Sequence, residues 1–177
     1  SEVRIQSRTG DVLSTVSLAS FWAAVAGTNV FDPKVLFDPY GQRWMFTSCA
    51  DSQSSMSAVL MAVSQTDDPT GAGNRYRVAA DVNNRAWADY PSIGFNKDCI
   101  VLQLNMFNTS TDDLDGSHIY VFDKANLYAD GTGAHTLISR NDIGGVQTPA
   151  LTYDPALATM YLLQTYDGNS NGRGSVR

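Results

Sequence analysis

The 177-residue sequence predicts an all-β fold built from repeated four-stranded units, and three observations carry that prediction. The first is composition. Glu2 is the only glutamate among 18 acidic residues, and Lys34, Lys97 and Lys124 are the only lysines. Glu and Lys favour helices, whereas the Asp, Asn, Gly and Ser abundant here collect in turns. The second is a motif of Pro, any residue, aliphatic, any residue, aromatic, then Asp or Asn. It occurs at residues 33–38, 91–96 and 149–154, with a constant step of 58 (91 − 33 and 149 − 91). The third is the shared continuation of the copies: a polar turn, then further short apolar segments at matching positions.

Taken along the chain, Val63 and Val121 are equivalent by that step, and one step back falls on Ile5. Residues 3–5 therefore read as a third strand, and residues 12–18 as a fourth. A complete unit comes next, with strands at 33–38, 43–48, 59–63 and 76–80. A second unit places them at 91–96, 99–105, 119–122 and 136–139. Residues 149–154 and 159–165 then supply a first and a second strand. Loops at 66–75 and 123–134 absorb the excess over the ~40–50 residues of common repeats of this kind.

Four short strands per repeat are the signature of a β-propeller blade. A β-solenoid is the competing architecture, but its coils are much shorter than 58 residues. The expected organisation is a split blade contributing its third and fourth strands at 1–30, whole blades at 31–88 and 89–146, and the first and second strands of a split blade at 147–177. Three blades cannot close a ring, since propellers have about 4–8. The expectation is a six-bladed ring closed head to tail by two chains, or a segment of a longer protein.

Composition excludes several classes. With 43% hydrophobic and 17% charged residues the chain is not disordered. No apolar run approaches the ~20 residues of a membrane helix. Twelve basic against 18 acidic residues, a net charge of −6, argue against nucleic acid as a partner. There is no initiator Met, signal peptide or lipidation motif, so the chain reads as a processed or excised piece. Cys49 and Cys99 match no zinc spacing; a disulfide and two thiols in neighbouring strands are both open readings.

The segment 31–38 with Arg43 and Trp44, the stretch 63–71, Asp89-Tyr90-Pro91 and residues 120–124 resemble a broad group of secreted bacterial propeller proteins, often linked to sialidase-like propellers. The resemblance spans most of the chain and implies an exported protein. The Ser-x-Asp-x-Gly-x-x-Trp box of sialidase blades is absent.

Candidate site residues come from blade geometry, in which the loop entering the first strand shares a face with the loop joining second to third. Asp32, Asp89, Tyr90, Gln147 and Thr148 stand at the entrances; Asp51, Asp112, Asp113, Asp115 and Asp167 lie in the joining loops. Such a rim suits a sugar or a cation, although Asp before Pro also caps turns. Trp22, in a long loop, is a candidate sugar platform, whereas Trp44 and Trp87 are expected to wedge between blades. Asp167, Asn169 and Asn171, with Gly172 after them, match the opening of a calcium loop whose closing Glu is absent; a glycine-rich hairpin fits the same residues. No Gly-x-Ser-x-Gly elbow or phosphate loop occurs, and His118 and His135 are expected to be structural or solvated. Asn108-Thr109-Ser110 is a glycosylation sequon.

The sequence therefore points to an exported binding or scaffold module, with carbohydrate as ligand and a second copy as partner. No catalytic residue is assigned in that reading. The rival is a glycoside-processing enzyme with Asp32 and Asp89 as its carboxylate pair, and a third reading is an excised or engineered half-ring without activity of its own.

Overall fold

The computed structural model describes residues 1–25, 29–166 and 175–176, and it is all-β, built of antiparallel sheets. A hairpin of β1 (Glu2–Gln6) and β2 (Val12–Ser17) opens the chain. A four-stranded meander comes next: β3 (Val30–Asp38), β4 (Arg43–Ala50), β5 (Ala58–Ser64) and β6 (Gly73–Ala79). A second comprises β7 (Ala86–Phe95), β8 (Cys99–Asn108), β9 (Leu114–Asp123) and β10 (His135–Arg140). Two-stranded ribbons close the order, β11 (Thr148–Pro149) with β12 (Leu162–Leu163), and β13 (Thr165–Tyr166) with β14 (Ser175–Val176).

The repeat is visible in hydrogen-bond detail. The β3–β4 ladder shifts register between Phe31 and Lys34, and the β7–β8 ladder between Asp89 and Ser92, 58 residues later. Pro33 and Pro91 sit in those bulges, where a residue without an N–H costs the ladder nothing. The turn after each first strand is capped in the same way. Asp38 accepts from the Tyr40 and Gly41 N–H groups (2.9 and 3.1 Å), Asn96 from Asp98 and Cys99 (2.9 and 2.8 Å), and Asp154 from Ala156 (2.8 Å). The recurring Asp or Asn that ends the sequence motif is thus an Asx turn.

The two meanders stack face to face. Met45, Met61 and Val63 of the first meet Phe95, Leu102, Leu104 and Phe122 of the second, all buried. Period-2 alternation sends the intervening residues of β4 and β5 to the other face, where Phe46, Ala50, Leu60 and Ala62 pack against Leu18 and Trp22. The ribbon β11–β12 lies beyond the second meander. Gly94 marks the closest approach, since a Cβ there would meet the Ala150 carbonyl oxygen at 2.5 Å. A parallel bridge joins Phe95 to Leu151 nearby.

Several expectations need correction. The fourth strand expected at 12–18 stops at Ser17, whose Oγ accepts from the Ser20 N–H (3.0 Å) and caps helix α1 (Leu18–Trp22). The loop expected at 123–134 contains helix α2 (Lys124–Tyr128), capped by the Asp123 carboxylate through the Asn126 N–H at 3.1 Å. The strands expected at 149–154 and 159–165 are cut to short ribbons. Among the described residues no third strand pairs with β12, and an isolated ribbon is marginal. Cys49 and Cys99 are free thiols, Cys49 buried and Cys99 half-buried. They lie at opposite ends of their strands, Cys49 opposite Val59 and Cys99 opposite Asp123.

One end of the sandwich is tied by a buried cation. Lys124 of α2 reaches Asp38 of the other sheet (3.0 Å), donates to the Asn96 carbonyl, and lies over the rings of Tyr40 and Phe95 at 5.2 and 5.1 Å. The Tyr128 hydroxyl donates to the same carboxylate at 2.6 Å.

Candidate functional site

At the opposite end, the entrances of β3 and β7 and the β4–β5 and β8–β9 turns come together. Asp32 occupies left-handed backbone at φ 49°, and its 58-residue equivalent is Tyr90, at φ 52°. Asp51, Gln53 and Asp112 have φ of 56°, 53° and 62°. Left-handed Asp or Asn is tolerated because the short polar side chain bonds locally; a left-handed Tyr is strained. Backbone strain of about 1–3 kcal/mol per residue persists only where surrounding structure enforces it.

The Asp89 carboxylate accepts from the Tyr90 N–H at 2.8 Å. Burial holds Asp89 above the usual carboxylate range, and the charges of Asp32 and Asp112 push the same way, against the lowering effect of the Tyr90 amide. Cys49 feels the same pair from the core; burial first, then Asp89 and Asp32, raise its thiol well above normal. It is therefore an inert thiol rather than a nucleophile.

Asp112 joins the two meanders, accepting from Trp87 Nε1 at 3.0 Å and from Gln53 Nε2 at 3.1 Å. Asp51 is held by Arg77 at 2.8 Å. Tyr90 is 48% exposed, and Lys34 Nζ stands 5.2 Å from the centroid of its ring. Among the described residues no Lys or Arg forms an ion pair with Asp32 or Asp89.

The structure thus brings Asp32, Asp89 and Tyr90 together with Asp112 at one end. Gln147 is buried at this end of the second meander. Its Nε2 lies within 3.2 Å of the carbonyl oxygens of Ile143, Gly144 and Gly145, while its Oε1 has no partner. Thr148 is exposed in β11. Trp22 is not a platform: it is fully buried, with Nε1 donating to Ser48 Oγ at 3.1 Å. The outer faces of β4 and β5 need an apolar cover, and α1 turns the indole down onto them. Trp87 is buried and stacked on Phe107 (centroids 5.1 Å apart), whereas Trp44 packs on Phe37 and donates to the Asp67 carbonyl. Asp167, Asn169 and Asn171 lie outside the described residues. No group of three or more His, Cys, Asp or Glu is placed to hold a metal ion among those described.

Lys34, Gln53 and Arg77 are members of this end that the sequence did not reveal. Only Lys34 carries a sequence signal, since it is two residues after Asp32 in the bulge that Tyr90 shares. A separate cleft of about 510 Å³ is lined by Asp81, Arg85, Asp115, His118 and Arg140. His118 Nδ1 lies 2.9 Å from the Ala80 carbonyl oxygen, and burial lowers its proton affinity below the ordinary histidine value. No helix among the described residues is long and apolar enough to cross a membrane. Comparison with protein-family models, with curated proteins and with solved structures returned no match.

Proposed function

We propose that this chain is an exported, non-catalytic binding module of β-propeller architecture, with carbohydrate as its ligand and a second copy of itself as its partner. In this reading the two meanders are whole blades, and β1–β2 and β11–β12 belong to split ones. The face-to-face stacking of the meanders, the shared bulges and the approach of β11 to β7 support it. Export rests on the resemblance to secreted propellers.

The observation that carries the binding reading is half-exposed Tyr90 at the end of the meanders that also holds Asp32 and Asp89. Sugar hydroxyls donate to carboxyl oxygens, while the C–H face of a pyranose stacks on an aromatic ring. A hydrolytic reading has one point in its favour, because a carboxyl whose proton affinity burial has raised, beside a second carboxyl, is how acid–base pairs are built. Hydrolysis also requires carboxyl groups about 5–5.5 Å or about 6.5–9.5 Å apart, to admit the scissile bond or a water.

A glycan array read alongside a hydrolysis screen separates the two. The expected result is retention of a glycan without turnover, with Tyr90→Ala weakening it at least tenfold. Turnover abolished by Asp89→Asn in a folded protein would establish the enzyme instead.

A further inference from the structure

Between β1 and the outer face of the first meander runs a groove of about 510 Å³, floored by Val35, Trp44 and Phe46 and walled by Val3 and Ile5. In the second meander the corresponding face is covered. Phe95 is fully buried there and Ile93 packs against the core, whereas their equivalents one repeat earlier, Phe37 and Val35, are 38% and 53% exposed. What covers Phe95 and its neighbours is a whole sheet; among the described residues, what covers the first meander is the β1–β2 hairpin and α1.

We infer that this groove is a strand-docking slot for the β11–β12 ribbon of a second copy, whose β12 adds to the free edge of β1. This rests on the proposed head-to-tail assembly and assigns its register. Lys34, Ser92 and Ala150 are spaced by 58 residues, and they face Thr47, Gln103 and Tyr161 respectively. The residues opposite Thr47 and Gln103 on the third strand are Met61 and Ile119, and the residue one repeat before Met61 is Val3. Tyr161 of one copy therefore faces Val3 of the other.

The chemistry of the ribbon fits the floor of the slot. Alternation puts Thr47 and Cys49 on the face of the first meander turned to the next sheet, and their equivalents on the ribbon are Tyr161 and Leu163. These two are 54% and 52% exposed among the described residues. In the docked state they descend onto Val35, Trp44 and Phe46, continuing the stack that Met45 and Met61 make with Leu102 and Leu104. Docking also pairs the N–H and C=O groups along β1 and β12 that have no strand partner among the described residues, an edge that proteins seldom leave bare.

The test combines mass with cross-linking. Wild-type protein should run by light scattering at twice 19.2 kDa. In a Cys99→Ser background, the double variant Val3→Cys/Tyr161→Cys should give a disulfide-linked dimer on mild oxidation. Arg4→Cys/Tyr161→Cys should not, because neighbouring strand residues point to opposite faces. A dimer that cross-links equally through both pairs, or through neither, overturns the strand register while leaving assembly standing. A monomer overturns the slot and the head-to-tail reading together, and leaves glycan binding to its own assay.

Discussion

The two ends of the stacked meanders use aspartate in opposite ways. At one end Asp38 is fully buried, yet every oxygen is engaged by two backbone N–H groups, the Tyr128 hydroxyl and Lys124. At the other end, among the described residues, no Lys or Arg is paired with Asp32 or Asp89. The first arrangement satisfies its charge internally and holds the sheets together. The second leaves acceptor capacity and like-charge repulsion unresolved, in backbone that is locally strained. A structural acid and a candidate ligand-binding acid are thus told apart by their partners, not by residue type or by position in the repeat.

The sharpest way to break this comparison is at the satisfied end. Lys124→Met should cost about 3–5 kcal/mol, because it strands the buried Asp38 charge. Urea denaturation followed by tryptophan fluorescence measures it. The double variant Lys124→Met/Asp38→Asn should recover part of the loss. If Lys124→Met is neutral, the ion pair does not tie the sheets and the contrast between the ends collapses.

A smaller effect is expected where Asp112 bridges the meanders. Asp112→Ala leaves the Trp87 indole N–H and the Gln53 amide without their acceptor, a loss of about 1–3 kcal/mol for a part-buried donor. Thermal unfolding reports it, and no change would mean that water replaces the carboxylate freely. Tyr90→Gly works in the other direction. Glycine adopts φ 52° without the Cβ penalty, so stability should rise by up to about 1 kcal/mol while the aromatic face, and glycan binding with it, is lost.

How much of this was legible in the sequence differs between the ends as well. The 58-residue step located both meanders, because strands of five to ten residues bounded by Pro, Asp and Asn leave a strong local signal. It also placed Asp32, Asp89 and Tyr90 at a common end. The helices escaped, since five residues span little more than one turn and show no 3.6-residue period; the only cues were the capping Ser17 and Asp123. Trp22 was misplaced for a related reason. A tryptophan in an apparent loop reads as exposed, whereas here a one-turn helix presses it onto the outer face of β4 and β5. The contact of Asp112 with Gln53 lies in turns of unequal length on different sheets, so no spacing rule reaches it. The Lys124–Asp38 pair depends on α2 and was hidden with it.

The last and smallest test falls on the acid pair itself. Asp89 binds its proton more tightly in the folded chain than in the unfolded one, chiefly through burial and then through Asp32. In the pH window between the unfolded and folded values the native state therefore holds more protons, so stability falls as pH rises through that window. The penalty is absent below the ordinary carboxylate range and complete above the raised native value. Asp89→Asn removes it. The variant should match wild type at low pH and exceed it near neutrality, by less than Asp112→Ala loses, provided the amide keeps its bond from Tyr90 N–H. Denaturation midpoints from pH 3 to pH 8 would trace the divergence. Parallel profiles would mean that Asp32 and Asp89 do not repel in the folded chain, and that this end is as well satisfied as the one around Lys124.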